Sequence, residues 1–119
     1  MRGTYLITGV TGFIGASLAK HIVSSAEYSQ GDIQIVGIVR DYQKGLEQHE
    51  DILDDKFQLL TADITNYKQC YKLLNQLNVK IDYIIHCASP TRSGFMIEHP
   101  VETADVIVQA TKNMLQLAD

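Results

Sequence analysis

Residues 5–15 read Tyr-Leu-Ile-Thr-Gly-Val-Thr-Gly-Phe-Ile-Gly, and this stretch decides the fold. Apolar, β-favouring residues lead into three glycines, and the dozen residues that follow carry the periodicity of a helix. A strand, a glycine-rich turn and a helix in this order are typical of a site where a helix N-terminus holds phosphate groups. The alternative is a glycine-rich loop that serves only as a turn.

Each glycine has its own physical reason. Gly9 would let the chain turn sharply off the strand, Gly12 would let backbone N–H groups approach a pyrophosphate closely, and Gly15 would let the helix pack tightly against the sheet. The turn therefore predicts a set of residues that bind a dinucleotide cofactor, namely Gly9, Thr11, Gly12, Phe13, Ile14 and Gly15.

Composition favours an ordinary globular protein. A chain of 119 residues, 45% hydrophobic and 20% charged, is expected to form one domain. The net charge of −4 offers neither a basic surface for nucleic acid nor a polybasic patch for membranes. Apolar runs are only as long as strands, and no targeting segment is evident. We therefore expect a cytoplasmic protein without nucleic-acid or membrane partners.

Cysteine and histidine spacing gives no sign of a metal site. Cys70 and Cys87 lack CxxC spacing, and packing is the favoured role for both thiols over a redox or metal role. No two of the four histidines are four residues apart on a helix; they are His21, His49, His86 and His99. We therefore expect no bound metal.

Strands and helices are expected to alternate along the chain. Periodicity predicts strands at residues 4–8, 34–40, 56–62 and 81–88, and helices at residues 12–25, 67–77 and 101–117. Residues 24–32 are expected to form a loop, and residues 42–55 a short helix. This alternation indicates a Rossmann-like three-layer α/β/α fold with a parallel sheet of strand order 3-2-1-4. The ligand site should then lie at the carboxyl ends of the strands.

Two further local predictions follow from the pattern. Residues 63–66 supply turn and N-cap chemistry before the helix at residues 67–77. The last helix should bury a stripe that consists of Ala104, Ile107, Val108, Thr111, Leu115 and Ala118.

Four sequence landmarks now stand in order: Thr-Gly-x-x-Gly-x-x-Gly at residues 8–15, Asp-Ile-Thr at residues 63–65, His-Cys-Ala-Ser at residues 86–89, and a helix at residues 99–115. In this order they resemble the extended short-chain dehydrogenase/reductase family, the NAD(P)-dependent epimerases and dehydratases that act largely on nucleotide sugars. The resemblance covers nearly the whole chain. It implies an NAD(P) cofactor and a small-molecule substrate.

Further site residues follow from this resemblance. Asp63 and Ile64 would contact the adenine, although Asp63 could instead cap the following helix. Small residues at the end of the fourth strand would lie near the nicotinamide, namely Cys87, Ala88 and Ser89. The loop that follows would admit the substrate, which Thr91 and Arg92 would contact.

Two departures from the family pattern limit the resemblance. Ile107 and Ala110 stand where the family often has Asn and Gly. In addition, none of the six tyrosines is followed four residues later by lysine, so the family's catalytic Tyr-x-x-x-Lys is absent. We therefore expect residues 1–119 to be the truncated, catalytically inactive dinucleotide-binding portion of a longer enzyme. The alternatives are a complete small nucleotide-binding domain and a non-catalytic NADP-sensing module.

The end of the second strand bears on the choice of cofactor. An acidic residue there usually binds the ribose hydroxyls of NAD, whereas an arginine can hold the 2′-phosphate of NADP. Arg40 stands at the position of the acid, and Asp41 follows it. The sequence favours NADP over NAD, although Arg40 could instead lie over the adenine or pair with Asp41. Exposed edges and apolar faces of a truncated sheet would also promote self-association.

Overall fold

The computed structural model describes residues 2–78, 80–88 and 97–118. Four strands form one sheet: β1 (Gly3–Thr8), β2 (Ile33–Val39), β3 (Phe57–Thr61) and β4 (Tyr83–His86). Their order is β3-β2-β1-β4, and every neighbouring pair is parallel. The predicted strand order and the parallel α/β architecture are confirmed. Strand β4 is shorter than the predicted residues 81–88.

In the described ranges, helices connect or follow the strands: α1 (Phe13–Val23), α2 (Ala26–Ser29), α3 (Tyr42–His49), α4 (Tyr67–Leu77) and α5 (Pro100–Ala118). The prediction that residues 24–32 form only a loop was wrong, because the Ser25 side chain accepts the Tyr28 N–H and caps the single turn of α2. None of the helices in the described part of the chain is both long and apolar enough to cross a membrane.

Side chains on the two faces of the sheet form two separate cores. Along β1, Tyr5 and Ile7 pack with Ala19 of α1 on one face. Leu6 points to the other face and packs with residues of α4 and α5. This alternation is what a strand buried on both faces requires. Helices therefore cover both sides of the sheet, as a three-layer fold demands.

Helix α5 packs on the sheet through a different stripe from the predicted one. Its buried residues are Thr103, Ala110, Asn113 and Met114. The predicted residues Val108 and Leu115 are instead 55% and 68% exposed. The prediction was wrong because α5 carries two apolar stripes, and the one with Ala110 and Met114 packs into the core that contains Leu6 of β1. The predicted stripe faces outward.

The amino ends of the strands are joined by a polar cluster. The Tyr28 hydroxyl donates to Asp54 at 2.6 Å, and the Lys56 ammonium donates to the Tyr28 carbonyl at 2.8 Å while lying over the Tyr28 ring. Burial and the neighbouring carboxylate raise the pKa of Tyr28, which therefore stays protonated. This cluster holds α2 against the start of β3.

Candidate dinucleotide site

The carboxyl ends of the four parallel strands meet at one edge of the sheet. There the glycine-rich turn after β1 lies against residues that follow β4, because a Cβ on Gly9 would be 2.6 Å from the Ala88 nitrogen. Arg40 follows β2 and Asp63 follows β3. The two side chains are close enough for the positive charge of Arg40 to lower the pKa of Asp63. The structure thus brings together most of the predicted site residues. Ser89, Thr91 and Arg92 lie outside the described residues.

The turn itself needs glycine at two positions. Gly9 has φ +67°, in the left-handed region that favours glycine. Gly15 has no room for a side chain, because a Cβ there would overlap the Gly9 carbonyl oxygen. The Gly12 N–H donates to the same carbonyl at 2.9 Å. The tight contact expected between Gly15 and the sheet is thus made with the turn.

The N-terminus of α1 is open to an anion. Gly12 occupies the N-cap position and has no side chain to bind the first helical N–H groups, and the first turn carries no acidic residue. The N–H groups of Phe13, Ile14 and Gly15 have no acceptors inside the helix, and the helix dipole adds positive potential at the same place. A pyrophosphate fits this arrangement, because it would supply the missing acceptors.

Phe13 and Ile14 present their backbone, not their side chains, to this N-terminus. Their side chains are 90% and 69% exposed. Thr11, before them, is half-buried. A role in binding a cofactor therefore rests on the N–H groups of these residues.

A buried hydroxyl joins the ends of β1 and β4. Thr8 is completely buried, and its Oγ1 accepts the N–H groups of Cys87 and Ala88 at 3.1 and 3.2 Å. The same oxygen lies 2.6 Å from Nδ1 of His86. Burial lowers the pKa of His86, so its ring is neutral near pH 7. These bonds position Cys87 and Ala88 beside the turn.

At the end of β2, the arginine and the aspartate have different surroundings. Asp41 is the N-cap of α3, where its Oδ1 accepts the Lys44 N–H at 3.1 Å. Arg40 is exposed at the same edge of the sheet. The Asp41 carboxylate is therefore engaged by its own helix, while Arg40 is exposed and carries the charge that acts on Asp63.

Asp63 shapes the turn after β3. Its Oδ1 accepts the Thr65 N–H at 3.0 Å and the Thr65 hydroxyl at 2.6 Å. These hydrogen bonds, with a smaller effect of the Arg40 charge, lower the pKa of Asp63. The alternative that Asp63 caps α4 was wrong, because the Asn66 side chain accepts the Gln69 N–H and is the N-cap. The prediction of an N-cap within residues 63–66 is confirmed.

Asn113 of α5 supports this turn from below and was assigned no role from the sequence. It is 1% exposed, and its Nδ2 donates to the Ile64 carbonyl at 2.8 Å. Gln109 donates to its Oδ1 at 2.8 Å. Asn113 lies in the helix at residues 99–115 that forms the fourth sequence landmark, so its place was visible in the sequence, but its partner was not.

His49 of α3 is a second residue whose contact the sequence did not reveal. Its Nε2 lies 2.8 Å from the Val10 carbonyl oxygen in the glycine-rich turn. The sequence did indicate that His49 would be buried, because it lies three residues after Leu46 and four before Leu53. This spacing places His49 on the apolar face of an otherwise polar segment.

The two cysteines differ in burial. Cys70 is 1% exposed, and burial raises the pKa of its thiol. Cys87 is half-buried at the end of β4. In the described ranges, no three His, Cys, Asp or Glu residues are grouped in a way that could hold a metal ion.

Comparison with known proteins agrees with this geometry. The family model of GDP-mannose 4,6 dehydratase matches residues 6–119. The chain belongs to the GDP-mannose 4,6 dehydratase family. The resemblance to extended short-chain dehydrogenases/reductases is thereby confirmed. The UDP-N-acetyl-alpha-D-glucosaminuronate decarboxylase of Bacillus cytotoxicus is a curated relative of this chain. The two sequences are 27% identical over 99% of this chain and 33% of the decarboxylase.

Solved structures share the fold of this GDP-mannose 4,6 dehydratase family member. Pen from Bacillus thuringiensis has a TM-score of 0.78 at 24% identity and matches 98% of this chain and 33% of its own. The dTDP-glucose 4,6-dehydratase of Bacillus anthracis, in complex with NAD, has a TM-score of 0.69 at 20% identity and matches 97% of this chain and 33% of its own. The chain thus spans about a third of the length of the relatives that it matches.

Proposed function

We propose that this chain is the NAD(P)-binding portion of an epimerase, dehydratase or reductase that acts on a nucleotide sugar or a similar small molecule. The observation that carries the proposal is the uncapped N-terminus of α1, which follows the glycine-rich turn at the carboxyl edge of a parallel sheet. Family membership and the curated decarboxylase relative support the nucleotide-sugar class.

The described residues suggest how a dinucleotide would be held. Backbone N–H groups of Thr11 and of residues 13–15 would bind the pyrophosphate, Asp63 and Ile64 would border the adenine, and Cys87 and Ala88 would border the nicotinamide. When bound, the cofactor supplies hydride transfer. The chain's own contribution is to bind and orient it.

We infer that NADP is preferred over NAD. The Asp41 carboxylate caps α3 through one oxygen, which leaves it less able to accept the ribose hydroxyls, whereas Arg40 is exposed and free to meet a 2′-phosphate. Calorimetric titration with both cofactors tests this. Arg40→Ala should weaken NADP binding about tenfold, because a charge-assisted contact is lost, and should leave NAD binding unchanged. Tighter binding of NAD by the unmodified protein would contradict the preference.

The same titration tests the proposed function. Saturable binding of either dinucleotide would support it, and no binding of either at millimolar concentration would contradict it. We further propose that residues 1–119 alone turn nothing over, because no Tyr-x-x-x-Lys occurs among them. Any turnover by these 119 residues would refute this part of the proposal.

A non-catalytic NADP-sensing module is the second candidate. It is favoured by the missing Tyr-x-x-x-Lys together with the Arg40-Asp41 pair. The gene sequence distinguishes the two candidates: a Tyr-x-x-x-Lys encoded a few tens of codons after Asp119 favours the enzyme.

We also propose that the protein self-associates through the exposed apolar stripe of α5. Val101, Val108 and Leu115 are 73%, 55% and 68% exposed. With Ala104 and Thr111 they follow the alternating spacing of three and four residues that packs two helices side by side. A second copy of the same helix would complement such a stripe.

A further inference from the structure

A buried histidine reaches from α3 to the glycine-rich turn. His49 has no exposed surface, and its Nε2 lies 2.8 Å from the Val10 carbonyl oxygen, 39 positions away in sequence. A carbonyl oxygen only accepts hydrogen bonds, so Nε2 carries a proton and donates it. This contact joins the last residue of α3 to the turn.

The histidine ring is held in one orientation. It packs against Phe57, with ring centroids 5.6 Å apart. Its Nδ1 is buried and has no hydrogen-bond partner among the residues that the structure describes. The bond from Nε2 to the Val10 carbonyl is therefore the hydrogen bond that the ring makes within the described residues.

The partner of His49 is itself restrained. The Val10 side chain is fully buried and packs beside Gly37, where a Cβ would lie 2.9 Å from Val10 Cγ1. With the side chain and the carbonyl oxygen both held, the planar peptide between Val10 and Thr11 has a single orientation. In a trans peptide the N–H points away from the preceding carbonyl. Holding the Val10 carbonyl therefore aims the Thr11 N–H to the side opposite His49.

We infer that His49 is a positioning residue for the pyrophosphate of a bound dinucleotide. By holding the Val10 carbonyl it fixes the direction of the N–H groups that open the turn. Helix α3 begins beside Arg40 and ends at His49, so one short helix links the ribose end of the site to the phosphate end. The role in binding rests on the proposed function, whereas the effect on the turn does not.

Two substitutions separate the hydrogen bond from the packing. His49→Phe keeps a ring of similar size and removes the donor. His49→Gln places an amide N–H close to the position of Nε2. We expect His49→Phe to weaken both NADP and NAD about tenfold, the scale of one buried hydrogen bond. His49→Gln should retain affinity to within about threefold.

A matched control tests whether lost stability alone weakens binding. Ile35→Val removes one methylene from the same core, at a cost of about 1 kcal/mol in unfolding free energy, and leaves the His49–Val10 contact in place. It should bind both dinucleotides like the unmodified protein. Equal loss of affinity in Ile35→Val and His49→Phe, or full affinity in His49→Phe, would overturn the inference.

Backbone NMR gives a second readout without cofactor. The amide resonances of Thr11 and Gly12 should shift in His49→Phe and return toward their original positions in His49→Gln. If the unmodified protein bound neither dinucleotide, the proposed function would fail, and these resonances would still decide whether His49 holds the turn. Unchanged resonances in His49→Phe would overturn the inference. If His49→Phe did not fold, His49→Gln would decide. The inference would be overturned if the turn resonances of His49→Gln and its affinity for the dinucleotides both differed from those of the unmodified protein.

Discussion

The Thr8 hydroxyl lies 2.6 Å from Nδ1 of His86 and also accepts two backbone N–H groups, from Cys87 and Ala88. Because those two donors occupy the oxygen lone pairs, the hydroxyl proton goes to Nδ1. The histidine must therefore be an acceptor at Nδ1, which a protonated ring cannot be. One side chain thus fastens the end of β4 to the end of β1.

Removing this hydroxyl should destabilise the protein. Thr8→Val keeps the shape of the side chain but leaves the Ala88 N–H and Nδ1 of His86 without their partner, whereas the Cys87 N–H keeps the Thr8 carbonyl as an acceptor at 3.2 Å. We therefore expect the free energy of unfolding to fall by about 2 kcal/mol or more in urea titrations. Thr8→Ser loses only a methyl group and should cost about 1 kcal/mol. A Thr8→Val protein more stable than Thr8→Ser would contradict this account.

Stability should fall as the pH drops toward 5, in part through His86. Burial places the folded-state pKa of His86 below its ordinary value, so the neutral ring contributes stability that is complete above the unfolded-state pKa of about 6.5. That contribution is lost as the pH falls through the folded-state pKa. His86→Asn should show a smaller loss of unfolding free energy between about pH 7 and pH 5. Identical pH profiles for the two proteins would rule out this role.

A methyl group at Gly15 should disrupt the turn. Its Cβ would overlap the Gly9 carbonyl oxygen, so the turn or α1 must move. We expect Gly15→Ala to abolish dinucleotide binding and to lower the melting temperature. Gly31→Ala is the control: Gly31 also has a positive φ, of +83°, but nothing lies near its Cβ. It should cost only about 1 kcal/mol of backbone strain and bind normally. Normal binding by Gly15→Ala would show that the turn tolerates the shift.

Replacing Asn113 should loosen the turn after β3. Asn113→Leu leaves the Ile64 carbonyl without its buried donor, and we expect a loss of about 1 to 3 kcal/mol in unfolding free energy. Hydrogen exchange at Thr65 should accelerate as well. Gln109→Ala removes only the exposed partner of Asn113 and should have a smaller effect on both measurements. The reverse ranking of the two variants would contradict the support that we assign to Asn113.

A charge on the outer stripe of α5 should weaken self-association. Leu115 is 68% exposed, so Leu115→Glu should fold normally and sediment as a smaller species than the unmodified protein in analytical ultracentrifugation. Gln116→Glu adds the same charge at the neighbouring exposed position and should leave the sedimentation coefficient unchanged. A strictly monomeric unmodified protein at high concentration would refute self-association.

The strands, helices and turns of the sheet could be predicted because each of these elements is determined largely by residues that are close together in the sequence. The glycine-rich turn, the alternation of elements and the N-cap before α4 were all readable from short segments. Helix α5 was misread because periodicity shows that an apolar stripe exists but not which of two stripes faces the sheet. The buried residues of α5 include Asn113, and an asparagine has no apolar signal.

Long-range polar contacts were not predictable for a different reason. The bonds of Thr8 to His86 and of His49 to Val10 span 78 and 39 positions, and no local periodicity or spacing links the two partners of either bond. Only the three-dimensional arrangement of strand ends brings them together. The binding roles of the turn residues, Arg40 and Asp63 remain predictions that titration with cofactor will test.

The position of β1 at the interior of the sheet has a consequence for synthesis on the ribosome. This strand is translated before β2, with which it pairs from Gly3 opposite Ile33, and it pairs with β4 only when Tyr83 has been made. A nascent chain that ends before Tyr83 therefore exposes one unpaired edge of β1. We expect such intermediates to be the species that chaperones must protect, and the contact of Thr8 with His86 to mark the pairing of β4 with β1.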